Sequence, residues 1–119
     1  MRKTRSALPL PLQIKMPPIR IRERFHVVYE LEGAQKGVNF LAKYYRVKRM
    51  KVVFNGRKVC KAYIAYYLSG TAFFTRKGLE KRPVLHEMYH HIIEVYEIDL
   101  SSRVEEKEAD NYAREFLKN

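Results

Sequence analysis

Apolar positions change their spacing along the chain, and each change marks an element. Over residues 25–45, Val27, Val28, Leu31, Ala34, Val38, Leu41, Ala42 and Tyr45 recur at steps of three and four, the pattern of a one-faced α-helix. A helix packed behind a sheet is expected there, with Gly33 and Gly37 as the points where it can break. From residue 50 the spacing becomes strand-like. Residues 50–54 run into Asn55-Gly56, residues 61–68 into Ser69-Gly70, and residues 71–75 towards Lys77-Gly78. Three short strands closed by tight-turn dipeptides predict an antiparallel meander. Helical spacing returns over residues 83–98, with Pro83 in the first turn, where helices accept it. After the loop-like stretch 99–102, a last helix is expected over residues 103–118.

Ahead of these elements lie four of the five prolines, Pro9, Pro11, Pro17 and Pro18, which favour extended geometry. Ile19-Arg20-Ile21-Arg22 alternates and reads as a short edge strand. Residues 1–24 are therefore assigned to a basic, Pro-rich arm and residues 25–119 to a single domain. The fold class expected is α+β: an N-terminal helix, a three-stranded mainly antiparallel sheet and two C-terminal helices.

A chain of 119 residues suits one domain with a modest core. No run approaches the roughly 18 apolar residues of a membrane helix, so no membrane partner is expected. The basic start is interrupted by two prolines and lacks a small-residue cleavage pattern, which argues against a signal peptide. Cys60 is the sole cysteine and cannot form an internal disulfide, so a reducing, cytoplasmic location is expected. The net charge of +11 is uneven, with +16 over residues 1–82 and −5 over residues 83–119. A basic front of this kind suits nucleic acid or an acidic protein, and equally a solvated Lys/Arg surface.

The acidic end carries the chemistry. His86-Glu87-Met88-Tyr89-His90 has the H-E-x-x-H spacing, in which two histidines one helical turn apart converge on one metal ion. Glu87 stands about 100° round the helix from His86, placed to act as a general base rather than a ligand. Val84, Leu85, Met88, Tyr89, Ile92 and Ile93 cover much of the remaining arc, leaving one polar window. A catalytic zinc site needs a third ligand, and the last helix is rich in carboxylates. Ser102 to Glu105 fits a capping box, which gives Glu105 a structural task. Glu106, Asp110, Ala113 and Leu117 share a stripe next to that of Ala109, Tyr112 and Phe116, so helix phase puts Glu106 first as ligand. Glu108 and then Glu105 follow it, and Asp99 is a weaker option from the loop. Asp110, one turn after Glu106, is placed to support a ligating histidine through its second ring nitrogen. His91 points away from the shared face, and His26 reads as a packing or surface histidine. Among Tyr63, Tyr66 and Tyr67, one is a candidate for holding an oxyanion, although sheet packing accounts for all three. Cys60 reads as a small packed residue.

Glu87 favours a hydrolase over a structural metal site, and the substrate class expected is a protein or peptide. The alternative is a basic module that binds nucleic acid or a partner and keeps zinc only as a structural or vestigial feature.

HEMYHH followed by EEKEADNYAREFL resembles the ImmA/IrrE-type gluzincin peptidases and the very small archaeal minigluzincins. Their pattern is H-E-x-x-H, a short linker, then E-x-E-A-(D/N)-x-aromatic-A-x-x-L-L. Glu106, Glu108, Ala109, Asp110, Tyr112, Ala113 and Leu117 occupy those places, with Phe116 for the first leucine. Tyr89 stands where the family has a small residue. The likeness covers residues 84–117. It implies a zincin-like minimal domain, a Zn²⁺ cofactor, peptide-bond hydrolysis, Glu106 as ligand and Asp110 as support to a histidine.

Overall fold

The structure, a computed structural model, describes residues 14–54, 65–75 and 79–118. Its elements are α1 (Ile19–Glu32), α2 (Ala34–Tyr45), β1 (Lys51–Phe54), β2 (Ala65–Leu68), β3 (Thr71–Phe74), α3 (Lys81–Val95) and α4 (Ser102–Phe116). The class is α+β, with four helices and one mixed sheet. Among the described residues no helix is long and apolar enough to cross a membrane.

Two expectations near the start are corrected. Residues 19–22 open a helix instead of adding an edge strand, because four alternating residues cannot separate a period of two from one of 3.6. Pro18 sets the start: its carbonyl accepts the Ile21 and Arg22 amides at 2.9 and 3.1 Å. Just ahead of it, Pro17 is fully buried, and Ile14 and Met16 pack on the core. The long helix of residues 25–45 is two helices, divided at Gly33. There φ is +96°, which a residue with a Cβ rarely adopts. Gly33 donates its amide to the Tyr29 carbonyl and accepts the Gly37 amide, so one residue closes α1 and opens α2.

Gly37 is where the two helices meet most closely. A Cβ there would stand 3.0 Å from Tyr29 Cδ2 and 3.2 Å from Phe25 Cε1. Neither ring has room to retreat, since Phe25 is fully buried and the Tyr29 hydroxyl is bound to the Leu79 carbonyl. Gly37→Ala should therefore lower stability by about 1 kcal/mol despite alanine's better helix propensity, because overpacking outweighs it. A denaturation midpoint at or above that of the wild type would contradict this.

The sheet order is β1-β3-β2. β2 and β3 form the expected hairpin, with Ser69 and Gly70 at φ +46° and +86° in the two-residue turn, the signature of type I′. β1, however, pairs with β3 in parallel, Lys51 opposite Thr71 through to Phe54 opposite Phe74. The meander is thus corrected to a mixed sheet. The tight turn forces β2 against β3, and the most buried strand takes the centre, with Ala72 and Phe74 fully buried. The Asn55-Gly56 turn, the start of the second expected strand, Cys60 and Tyr63 lie outside the described residues.

α3 packs against α4, α2 and β2. Its Val84, Leu85, Met88 and Ile92 are fully buried between the sheet, α2 and α4. α4 contributes Ala109, Tyr112, Ala113 and Phe116, and the buried Tyr112 hydroxyl meets Tyr45 of α2 at 2.9 Å. That anchor holds α4 in rotation, with Glu106 and Asp110 turned to α3. α3 ends at Val95, three residues before the expected end. Glu97 takes φ +56°, and the Ile98 amide returns to the Ile93 carbonyl at 3.0 Å. This helix-closing turn reverses the chain within the six residues 96–101 and lays α4 back along α3.

Candidate metal centre

His86 and His90 leave α3 one turn apart, with ring centroids at 4.9 Å, and their Nε2 atoms are 3.2 Å from each other. Glu106 of α4 brings its carboxylate to both: Oε1 is 3.1 Å from His86 Nε2 and Oε2 is 2.9 Å from His90 Nε2. These three side chains form the one candidate metal group among the described residues.

The opposite ring nitrogens explain why this grouping calls for a cation. His86 Nδ1 faces Asp110 Oδ1 at 2.8 Å and His90 Nδ1 faces Glu105 Oε2 at 2.6 Å. A carboxylate there accepts a hydrogen bond from Nδ1–H, which fixes that tautomer and turns the Nε2 lone pair inward. Two lone pairs and a carboxylate then converge with no proton between them. The spacing is compatible with one ion: a ligand atom from each of the three side chains lies within 4.8 Å of the other two. Two imidazoles and a carboxylate suit zinc and its first-row neighbours.

Of the expected residues, His86, His90, Glu106 and Asp110 come together as their helical phase required. Glu105 is corrected. Ser101, not Ser102, caps α4, its hydroxyl accepting the Val104 amide at 3.3 Å, so Glu105 lies one position past the capping-box place. Freed from that task, it holds His90. The signal was present in the sequence: in an antiparallel pair of helices the later histidine meets the earlier acid, so Asp110 on His86 implies Glu105 on His90. Glu108 lies half-buried near Tyr89, whose hydroxyl is pushed up to about 12, by burial first and then by the nearby charges of Glu108 and Glu105. Neither Glu108 nor the exposed Asp99 belongs to the metal group. Tyr89, where the resembled family has a small residue, finds its room by packing on Tyr112 at 5.5 Å.

Glu105→Gln and Asp110→Asn are each expected to weaken metal binding 10–100-fold by releasing a histidine ring. Competition against a chromophoric chelator measures this. Equal affinity in either variant would mean that its carboxylate does not orient the ring.

Glu87 is 6 % exposed and opens onto a cleft running between α3, α4 and β2. No described residue hydrogen-bonds to it. Burial pushes its carboxyl above the usual range; the two histidines oppose this and Glu106 adds to it. His91, fully buried, donates Nε2–H to the Lys48 carbonyl at 2.7 Å and turns Nδ1 to the Tyr67 hydroxyl at 2.9 Å. It stands apart from the metal group, as expected. Tyr67 is also bonded to Glu94 and accepts the Gly70 amide at 2.8 Å, so its single proton is already claimed. Tyr66 lines the cleft and stacks on Phe73 at 5.0 Å. His26 packs edge-on to Phe25 and Phe116, and burial lowers its pKa.

Comparison of the chain with models of known families, with curated proteins and with solved structures finds no match in any of the three. Fold and site alone set the class: an α+β domain whose two C-terminal helices present a His-His-Glu group able to hold a metal ion.

Proposed function

We propose that the chain is a zinc-dependent metallopeptidase of the gluzincin type, with a zincin-like arrangement of sheet, ligand helix and glutamate helix. His86, His90 and Glu106 would hold the ion. Bound there, zinc would supply a Lewis acid for the scissile carbonyl and lower the pKa of water. The remaining work falls to the chain. Asp110 and Glu105 keep both imidazoles in the ligating tautomer. Glu87 takes a proton from the attacking water and returns it to the leaving nitrogen.

β2 supports the same reading. Among the described strands it is an edge strand, it lines the cleft, and its two-residue turn makes Leu68 and Thr71 the closing hydrogen-bonded pair. By the alternation of antiparallel ladders, Ala65 and Tyr67 then turn their main-chain groups outward, where an extended peptide can pair with them. The single observation carrying the proposal is Glu87, a buried carboxyl beside the metal group with no hydrogen-bond partner among the described residues. A structural metal site has no use for it. The test is incubation of the zinc-loaded protein with a mixed peptide library and mass-spectrometric search for new termini. A library left wholly intact would overturn the proposal.

A second reading, a nucleic-acid-binding module, has one specific support. Lys43, Arg46, Lys48, Arg49 and Lys51 are all exposed, and none forms an ion pair among the described residues. Binding to generic DNA or RNA that falls steeply with salt would favour it.

A further inference from the structure

A chain with a net charge of +11 concentrates its acids in one place. Among the described residues, seven of the thirteen Asp and Glu side chains line the cleft, and Arg82 is the one Lys or Arg beside them. Four of the seven are Glu87, Glu105, Glu106 and Asp110; the others, Glu80, Glu94 and Glu97, lie outside the metal group and its supports.

Exposed acids alone would say nothing of a ligand. Glu87 does, being 6 % exposed, unpartnered among the described residues and aimed into the same cleft. A chain that crosses the cleft to reach Glu87 must also pass the acids on either side.

Glu94 is the acid placed to read it. It follows His90 by one turn on α3, about 6 Å along the helix axis. Tyr67 of β2 bonds to its carboxylate, tying it to the strand edge where the peptide would lie. A peptide paired with that edge advances about 3.4 Å per residue, so Glu94 stands about two residues from the bond held at the metal group. Ile93, Ile98 and Leu68 also line the cleft and offer apolar surface for the aliphatic stem of a lysine or arginine.

We infer that the cleft selects extended cationic peptides, with Glu94 as the specificity-determining carboxylate for a Lys or Arg about two residues from the scissile bond. This rests on the metallopeptidase reading and names its substrate class.

The test uses fluorogenic peptides identical except for Lys, Gln or Glu at each of three positions on either side of the cleaved bond. The zinc-loaded wild type should show about a tenfold higher kcat/KM for Lys than for Gln two residues from the cut on one side, and a lower value for Glu. In Glu94→Gln, which keeps an oxygen for Tyr67, the Lys-to-Gln ratio should fall towards one. In Glu115→Gln, exposed and outside the cleft, it should persist. Equal rates for all three peptides, or a ratio unchanged in Glu94→Gln, would overturn the inference. Fluorescence anisotropy of the same peptides on zinc-loaded Glu87→Gln protein separates the two claims. Lys-selective binding without cleavage by wild type keeps the cation-selecting cleft and removes the peptidase. Cleavage without Lys preference does the reverse.

Discussion

Glu87→Gln is expected to lower peptide hydrolysis by 10²–10⁴-fold, about 3–5 kcal/mol of transition-state stabilisation, with zinc still bound at one ion per chain. The amide keeps the shape of the carboxyl and cannot take a proton. The same substitution should raise the stability of the metal-free protein at neutral pH. Burial holds the folded-state pKa of Glu87 above its unfolded value, so the fold favours the neutral form. Stability from this group is then full below the unfolded pKa and is lost as pH rises through the folded one. An uncharged amide in that place would remove the penalty. Denaturation of both metal-free proteins at pH 4 and pH 7 checks the sign: the variant's advantage should appear at pH 7 and shrink at pH 4. A variant that keeps wild-type turnover would exclude Glu87 as the base; one less stable at pH 7 would mean that its carboxylate has a partner in the fold.

The other large effect is that of the metal. Zinc at a hundred times its dissociation constant should stabilise the fold by about 2.7 kcal/mol, raising the melting midpoint of a domain this size by about 10 °C. His86→Ala or His90→Ala should abolish the shift, each removing one of three ligands. His90→Ala also strands the Glu105 carboxylate, which is only 24 % exposed and bonded to that ring. Calorimetry with and without chelator reads both effects. No shift in the wild type, or the same shift in both variants, would remove the metal centre.

The site was largely legible in the sequence because a helix projects its period onto the chain. His86, His90, Glu106 and Asp110 lie in phase, and the apolar positions of α3 and α4 fix which way each helix turns. What escaped depended on other information. Ser101 and Ser102 are adjacent and chemically equal; the turn that ends α3 decides which caps α4, and with it the role of Glu105. Strand pairing is not written in local periodicity either. The apolar character of residues 50–54 and 71–75 marked strands, but their parallel pairing depends on where the intervening chain passes. Over residues 19–22 the alternation was simply too short, and Pro18 decided for helix.

The six-residue reversal between α3 and α4 bears on the order of assembly. His86 and Glu106 are separated by 20 positions, and α3 and α4 are neighbours in sequence as well as in space. Loop closure costs little over so short a span, and contacts of this kind form ahead of the parallel pairing of β1 with β3. The cation can thus be captured by a nascent helical hairpin, acting as a clasp in a chain with no internal disulfide. Metal supply during synthesis would then bear on how quickly the protein folds as well as on what it can do once folded.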